Sequence, residues 1–182
     1  MLDIGIGETD ISFSWENLYA RNREIVDRRA SRYFFVPNPV RIEIEDASPR
    51  AAHPALHPSD PTRGTRVLHF QRAIFVPSVE LSTTNLIRLK DLFNITVSPK
   101  GEARYAGDSL AEAREYKAPV IQWLPEEELL SCTLHTPEGD QKGVCEPRVT
   151  TEVGNVVQFE RIGFARIESI AENGVEAFFA HR

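Results

Sequence analysis

Hydrophobic and polar residues alternate in several short stretches, which is the pattern of strands that bury one face. The stretch 40–45 alternates valine and isoleucine with arginine and glutamate. In 156–168 the sequence VVQFERIGFARIE alternates as far as Phe159, slips by one position and resumes at Ile162. A slip of this kind predicts a β-bulge or a sharp bend at residues 160–161. We therefore expect the most polar pair of this strand at a point where the backbone changes direction.

A helix is predicted from Ser14 to Arg29, because Ser14 is a good N-cap and Glu16 lies in the first turn. Residues 110–116 predict one or two further helical turns. The other ordered stretches are short, rich in β-branched and aromatic residues, and separated by proline and glycine: 33–36, 66–70, 73–76, 86–97, 103–105, 120–124, 130–135 and 175–181. Many short strands between turn formers favour antiparallel barrels or sandwiches over a parallel α/β sheet. The expected fold is mainly β, with an N-terminal helix.

Prolines and small residues dominate 46–64 and predict a long irregular loop. His53 and His57 lie in this loop, four residues apart. Histidines at this spacing bind a metal when a helix presents them on one face, and Pro54 and Pro58 disfavour a helix. We therefore expect both histidines to be solvated.

The chain has 182 residues, which suits one or two compact domains, and a net charge of −6. That charge argues against nucleic-acid binding driven by bulk electrostatics alone. Positive charge is nevertheless concentrated locally, with five arginines in 21–32, and three arginines but no acidic residue in 62–79. No apolar run is long enough to span a bilayer and no signal peptide is recognisable, so we expect a cytoplasmic protein without a membrane partner.

The sequence contains no glycine-rich phosphate loop, no G-x-S-x-G and no paired metal motif. Cys132, His135 and Cys145 could provide three zinc ligands, but a structural zinc site normally has four. Two buried cysteines in a reducing compartment are the favoured interpretation. We expect no catalytic residue, no metal and no cofactor in this chain.

Gln158 and Arg161 have side chains suited to reading a nucleic-acid base. An amide offers a paired donor and acceptor, and a guanidinium offers a rigid fork of donors. The alternative is that both lie on an ordinary solvated strand face. In the same way, Arg28 and Arg29 near the end of the helix would either complement the helix dipole or contact phosphates.

Five segments of the sequence resemble one protein family: SWENLYARNREIVDRRASRYFFVPNPVRIEI, RLKDLFNI, KAPVIQWLP, VVQFERIGFARIE and the terminal FFAHR. In this order they are similar to the C-terminal anticodon-binding region of archaeal-type glutamyl-tRNA synthetases, and to the same region of glutaminyl-tRNA synthetases. The resemblance runs over nearly the whole chain. It implies two antiparallel β-barrels of a fold similar to ribosomal protein L25, with an N-terminal helix.

The resemblance also implies how the chain is divided. Residues 1–31 would be a helical connector from a catalytic part that lies upstream. Residues 32–97 together with 150–182 would form a proximal barrel, and residues 98–149 would form a distal barrel. This chain would then be one piece of a longer protein.

Four residues match positions in the family's motifs that contact the anticodon: Arg32, Lys117, Gln158 and Arg161. The resemblance implies that the two arginines and the glutamine address the middle and neighbouring anticodon bases. The family's I-H-W motif departs here to Ile121, Gln122 and Trp123. The arginines that the glutaminyl enzymes use on the next distal strand are absent from LLSCTLHTPEG, which leaves the first anticodon base unassigned.

Other side chains are expected to support tRNA binding through less selective contacts. Phosphate contacts, which add affinity without selectivity, are expected from Arg28, Arg29, Arg63 and Arg66. Anticodon bases are single-stranded and can stack on aromatic rings, and the candidate rings are Tyr33, Trp123 and Phe159.

The resemblance implies a parent class I synthetase whose upstream Rossmann domain uses ATP and Mg²⁺ to attach glutamate to tRNA. This chain would have no ligase activity by itself. Its partners would be the upstream catalytic domain, glutamate tRNA and, in a non-discriminating enzyme, glutamine tRNA. The alternatives are the same region of a glutaminyl-tRNA synthetase, an L25-like barrel that binds ribosomal RNA, a docking module for other proteins and, least favoured, an independent enzyme.

Overall fold

The computed structural model describes residues 15–82, 86–98, 100–172 and 174–182. The helices are α1 (Trp15–Asp27) and α2 (Leu110–Glu115), and short 3-10 helices span Pro61–Arg63, Ser78–Ser82 and Pro147–Glu152. The strands are β1 (Arg32–Tyr33), β2 (Phe35–Pro37), β3 (Pro39–Glu45), β4 (Arg50–Ala52), β5 (Leu68–Phe70), β6 (Ala73–Pro77), β7 (Leu86–Leu89), β8 (Asn94–Val97), β9 (Ala103–Tyr105), β10 (Val120–Ile121), β11 (Leu124–Pro125), β12 (Leu130–Thr136), β13 (Gly139–Cys145), β14 (Val156–Phe159), β15 (Gly163–Ala171) and β16 (Gly174–His181).

Two seven-stranded sheets make up most of the fold. The sheet that we call the terminal sheet has the order β1-β14-β15-β16-β12-β13-β2, and the sheet that we call the central sheet has the order β10-β7-β8-β9-β3-β6-β11. In each sheet the two edge strands come from one short segment, 32–37 in the terminal sheet and 120–125 in the central sheet, so each sheet curls back on itself. The result is one nearly closed barrel and one half-barrel, which confirms the mainly β expectation with an N-terminal helix.

The short apolar run 33–36 lies between two hydrophobic cores. Phe34 and Val36 pack into the core of the central sheet, whereas Tyr33 and Phe35 pack into that of the terminal sheet. A strand that is buried on both faces loses the usual alternation with polar residues. This placement explains why four consecutive residues here are large and apolar.

The division of the strands between the two sheets does not follow the barrel boundaries that the resemblance implied. The expected distal barrel, 98–149, supplies β9, β10 and β11 to the central sheet but β12 and β13 to the terminal sheet. Among the described strands, four pairings are parallel: β1 with β14, β7 with β10, β3 with β9, and β12 with β16. Local alternation predicts that a stretch is a strand, but it does not identify the partner strand or its direction.

The stretch 156–168 is a hairpin, so of the two predicted alternatives at residues 160–161, a bulge or a sharp bend, the structure has the change of direction and not a bulge within one strand. Strands β14 and β15 pair antiparallel, with Phe159 opposite Gly163. Ile162 donates its backbone N–H to the carbonyl of Phe159 (3.0 Å), and Arg161 has a left-handed φ of 63°. A Cβ at residue 163 would lie 2.7 Å from the carbonyl oxygen of His181, which explains the glycine. The slip in alternation marks a chain reversal.

The proline-rich stretch 46–64 is packed against the fold, and the expectation that His57 is solvated was wrong. His57 is 6% exposed, and its Nε2 lies 2.8 Å from the carbonyl oxygen of Asp27. The carbonyl of Leu56 accepts a hydrogen bond from the backbone N–H of Arg32 (2.8 Å). The loop therefore covers the end of α1 and the start of β1. His53 is exposed, as expected.

Strand β13 was not predicted, because GDQKGVC is polar and contains two glycines. Gly143 is required there by close packing, since a Cβ would lie 2.4 Å from the carbonyl oxygen of Val36 on the paired strand β2. Cys132 and Cys145 are free and buried, which confirms that expectation. In the part of the chain that the structure describes, no helix is both long enough and apolar enough to span a membrane.

Candidate nucleic-acid interface

A buried polar network joins the two sheets. Arg66 is 1% exposed and forms ion pairs with Glu146 and with Glu160, each at 2.8 Å. Lys90, which follows β7 of the central sheet, also pairs with Glu160, which follows β14 of the terminal sheet. The Glu146 carboxylate accepts a further bond from the Phe34 N–H at 2.6 Å. Burial raises the pKa of Glu146, and the adjacent Arg66 opposes that increase.

Gln122 makes a second link between the sheets. It lies between β10 and β11, and its Oε1 accepts a hydrogen bond from the Phe35 N–H at 3.3 Å. Its Nε2 donates to the carbonyl of Glu160. Glu160 is therefore held through both its side chain and its main chain. This anchoring determines where the next residue, Arg161, leaves the terminal sheet.

Arg32 and Gln158 lie side by side, because β1 and β14 pair with these two residues in register. The Arg32 side chain is 24% exposed, and its Nη2 lies 3.2 Å from a carboxylate oxygen of Asp27. Its Nε is buried and has no hydrogen-bond partner among the described residues. The Oε1 of Gln158 is likewise buried and unpaired within the described part of the chain. One donor and one acceptor are thus unsatisfied at neighbouring positions on the same face.

Arg161 bridges the two sheets at the β14–β15 turn. Its Nη1 donates to the carbonyl of Val120 (2.8 Å) and its Nη2 pairs with Glu80 (2.9 Å), while 49% of the side chain remains exposed. Lys117 is exposed and lies three residues before Val120 in the chain, with a left-handed φ of 51°. Arg161 thus lies where the two sheets meet, Arg32 and Gln158 lie side by side in the terminal sheet, and Lys117 lies on the segment that leads to β10. For brevity we call these four residues, which the sequence predicts at the anticodon, the junction strip.

The four arginines expected at tRNA phosphates are placed differently from one another. Arg28 and Arg29 are exposed just after α1. Arg63 is half-buried beside the junction strip, where its Nη2 donates to the hydroxyl of Ser31 (2.9 Å). The burial of Arg66 disagrees with the expectation of a phosphate contact, because its guanidinium is enclosed by carboxylates of the protein itself. Arg66 is a structural residue in this fold.

The three rings expected to stack on bases are all core residues. Tyr33 is 1% exposed, and Trp123 and Phe159 are 0% exposed, so none has a face available to a base. Burial and the 2.9 Å hydrogen bond to Glu152 raise the pKa of Tyr33 to about 12. Tyr116, which directly precedes Lys117 in the chain, has an exposed ring, with 67% of the residue accessible. The sequence signal that could have identified Tyr116 as a candidate is its position after α2 and next to a lysine.

The described residues contain no group of three or more histidine, cysteine or carboxylate side chains that could hold a metal ion. Among the described residues, His135 does not form a zinc site with Cys132 and Cys145. Its two ring nitrogens lie 2.8 Å from an Asp140 oxygen and 2.7 Å from a Glu176 oxygen. The polar groups of the junction are suited to hydrogen bonding and charge recognition.

Comparison with known proteins identifies the family of this chain. Two family models match the chain, over residues 30–109 and 120–168, and both describe the anticodon-binding domain of class I tRNA synthetases (E and Q). Proteins named glutamate–tRNA ligase are similar over the whole chain: those of Methanoculleus marisnigri, Methanospirillum hungatei and Methanocorpusculum labreanum are 56%, 52% and 50% identical. The chain spans about a third of the length of these relatives, 33%, 33% and 32% respectively. By these matches the chain belongs to the anticodon-binding domain family of the class I tRNA synthetases for glutamate and glutamine.

Proposed function

We propose that this chain is the anticodon-reading region of a glutamate–tRNA ligase, and that the junction strip contacts the anticodon. The ordered similarity to ligases of this name supports the parent activity. In that parent, a separate catalytic domain uses ATP and Mg²⁺ to join glutamate to tRNA. The present chain contributes recognition of glutamate tRNA and, in a non-discriminating parent, of glutamine tRNA.

The observation that carries this proposal is the unpaired donor of Arg32 beside the unpaired acceptor of Gln158. An unsatisfied buried polar atom costs about 1–3 kcal/mol, so native proteins seldom keep one without a reason. A donor and an acceptor that lie side by side on paired strands match the hydrogen-bonding groups on the edge of a nucleic-acid base. A base edge that fills both positions recovers that cost only when it is bound.

Uracil has the complementary pattern of groups. Its N3–H is a donor that can reach the Gln158 Oε1, and either flanking carbonyl can accept from the Arg32 Nε. Cytosine presents an unprotonated N3 at that position, which sets one acceptor against another. By the genetic code, the middle base of every glutamate anticodon is uracil. We therefore assign the Arg32–Gln158 pair to the middle base.

The remaining groups suit the neighbouring bases and the RNA backbone. Tyr116 offers an exposed ring on which a splayed base can stack. Lys117 and the exposed half of Arg161 provide positive charge nearby. Arg28, Arg29 and Arg63 lie on the side of α1 and β1, where phosphate contacts would add affinity without selectivity. A few local contacts of this kind are compatible with a net charge of −6.

The test is the affinity of the 182-residue chain for a glutamate anticodon stem-loop and for a copy whose middle uracil is replaced by cytosine. We expect the unaltered chain to bind the cytosine copy about tenfold or more weakly, as for one lost paired base contact. Gln158→Leu should abolish the difference between the two RNAs. Gln71→Leu, the same substitution at an exposed residue of the central-sheet side, is the matched control and should preserve it.

Equal binding of the two RNAs by the unaltered chain would contradict the assignment of the pair to the middle base. The Arg28→Ala, Arg29→Ala double variant should weaken both RNAs equally and reduce the dependence of affinity on salt, as expected for phosphate contacts. Equal affinity for a glutamine stem-loop, which differs at the third anticodon base, would support a non-discriminating parent. A clear preference for the glutamate stem-loop would rule that out.

A further inference from the structure

The proline-rich loop 46–64 is held in shape by its own residues. It includes β4, which pairs with β5, and its prolines at 54, 58 and 61 restrict φ around the tip. Asp60 accepts hydrogen bonds from the N–H and the hydroxyl of Thr62, at 3.1 and 2.5 Å, and so caps a 3-10 helix. We call this loop the brace, because it contacts the whole segment between α1 and β1.

His57 connects the brace to the end of α1. The residue is 6% exposed, and its Nε2 lies 2.8 Å from the carbonyl oxygen of Asp27. A carbonyl oxygen can only accept, so Nε2 carries the hydrogen and Nδ1 is free to accept. Nδ1 accepts from the N–H of Ser59 at 3.2 Å. The ring is therefore fixed through both nitrogens and holds the main chain of Asp27 against the brace.

The main chain of Arg32 is held from two sides. On the side of the brace, its N–H donates to the carbonyl of Leu56 (2.8 Å), and Leu56 is buried in the core of the terminal sheet. On the other side, the N–H of Gln158 donates to the carbonyl of Ser31 (2.9 Å). Arg63 of the brace donates to the hydroxyl of Ser31 (2.9 Å). The position from which the Arg32 side chain extends is thus fixed.

Asp27 holds the Arg32 side chain. A carboxylate oxygen of Asp27 lies 3.2 Å from Nη2 of Arg32, while the carbonyl of Asp27 is bound by His57. A free arginine side chain has many rotamers, and their loss on binding lowers affinity. A guanidinium that is already held by one nitrogen has lost part of this freedom before a ligand arrives. The unpaired Nε of Arg32 is therefore presented in a defined direction.

We propose that His57 and Asp27 are positioning residues for base recognition. His57 fixes Asp27, and Asp27 fixes the Arg32 guanidinium so that its unpaired donor is directed at the middle anticodon base. The two residues act through Arg32, and the proposal assigns neither of them a contact with RNA. It rests on the proposed function, because it assumes that Arg32 binds the middle base. The brace then contributes to recognition by aligning the arginine.

The test compares two substitutions of His57 that keep different halves of its contacts. The amide of His57→Gln extends about as far as Nε2 and can donate to the carbonyl of Asp27. The amide of His57→Asn ends near the position of Nδ1, where it can still accept from Ser59 but does not reach Asp27. Each variant is bound to a glutamate anticodon stem-loop and to a copy that lacks the middle base. The readout is the ratio of the two affinities.

We expect His57→Asn to bind the intact stem-loop about two- to tenfold more weakly than the unaltered chain does, as for the ordering of one long side chain. The copy without the middle base should be bound equally by both, because it offers Arg32 no base to contact. His57→Gln should recover most of the lost affinity. Equal weakening of both RNAs by the two variants would show that His57 only supports the fold, and would overturn the proposal.

Asp27→Ala provides a second variant at a side chain that is 39% exposed and outside the core. It should lower the ratio of the two affinities by a similar factor. The loss of one negative charge affects both RNAs alike and cancels in this ratio. Glu24→Ala is the matched control, because Glu24 is another carboxylate of α1 and pairs with the exposed Arg21 (2.7 Å). The control should leave the ratio unchanged, and an unchanged ratio in Asp27→Ala would contradict the proposal.

A double-variant cycle tests whether His57 acts through Arg32. In the Arg32→Leu variant, the further change His57→Asn should not alter the ratio, because the guanidinium that it positions is absent. The same loss in both backgrounds would show that His57 acts independently of Arg32.

The outcomes separate this proposal from the proposed function. If the unaltered chain binds the stem-loop equally well with and without the middle base, the proposed function fails and the positioning role fails with it. If the unaltered chain prefers the intact stem-loop and His57→Asn keeps that preference in full, the proposed function stands and His57 does not position Arg32.

Discussion

Arg66 and Arg32 are used in opposite ways within one junction. Arg66 is 1% exposed and has a partner on each nitrogen: Glu146 on Nε, the carbonyl of Ala55 on Nη1 (2.6 Å) and Glu160 on Nη2. Arg32 is partly exposed, holds Asp27 through one nitrogen and keeps a buried Nε without a partner in the described part of the chain. The first arginine is fully paired within the protein, whereas the second keeps one donor unpaired, which our proposal assigns to a ligand.

The two glutamines of the junction repeat the contrast. Both ends of the Gln122 amide are bonded to main-chain groups of the terminal sheet, so this residue fastens the two sheets together. The Gln158 Oε1 has no such partner within the described residues. Because an unsatisfied buried polar atom is costly, we interpret a fully hydrogen-bonded polar side chain as structural and one with a buried unpaired atom as a candidate for recognition. Two comparisons of variants test this distinction and a third measures a weaker pair at His135, and the largest effect is expected at Arg66.

Arg66→Met should destabilise the protein by about 3–5 kcal/mol, because it leaves Glu146 and Glu160 buried without their main partner. The measurement is the free energy of unfolding in urea. Arg72→Met is the matched control: Arg72 also forms an ion pair, with Glu43, but is 81% exposed. The control should change the free energy of unfolding by no more than about 0.5 kcal/mol. Similar losses at both positions would show that the buried network is not what joins the sheets.

The two glutamines allow the same substitution to be compared directly. Gln122→Leu leaves the N–H of Phe35 and the carbonyl of Glu160 without this partner, so we expect a loss of about 1–3 kcal/mol in unfolding free energy. Gln158→Leu removes an acceptor that is already buried and unpaired, so the free energy of unfolding should stay the same or rise, by up to about 1–3 kcal/mol, while stem-loop binding falls. If Gln158→Leu is as destabilising as Gln122→Leu, its amide has a structural role and the contrast fails.

The smallest effect is expected at His135, a partly exposed residue that pairs with Asp140 and Glu176. Hydrogen bonds to Asp140 and then Glu176 raise the pKa of His135 above its ordinary value of about 6.5. Because the folded-state pKa is the higher one, the pairing stabilises the protein fully below about pH 6.5 and is lost as pH rises through the folded-state value.

His135→Gln should therefore cost about 0.5 kcal/mol in unfolding free energy at about pH 5.5 and nearly nothing at about pH 8.5. The side chain is 31% exposed, so solvent screening keeps the effect small. Urea unfolding at the two pH values measures it. An equal cost at both values would show that packing against Phe178, whose ring lies 4.7 Å away, matters more than charge.

Sequence reasoning named candidate residues for the interface, but it did not predict their surroundings. Gln158 and Arg161 stand out because of their chemistry in an alternating stretch. No local pattern places Arg32 beside Gln158. The two residues are 126 positions apart in the sequence and become neighbours only because β1 pairs in parallel with β14. The rings of Tyr33, Trp123 and Phe159 were misjudged for the same reason. An aromatic residue in a strand packs on either face, and only the sheets decide which face is buried.

The sequence by itself determined that the protein is mainly β, because alternating apolar residues, prolines and glycines are local signals with local structural causes. It also determined family membership through long ordered motifs. The tertiary structure alone decided which strands share a sheet and which arginine is buried. Arg66 meets Glu160 at a separation of 94 residues, and Gln122 meets Phe35 at a separation of 87. Contacts of this range depend on how two sheets pack together, so the difference between a structural arginine and a recognition arginine arises only in the folded chain.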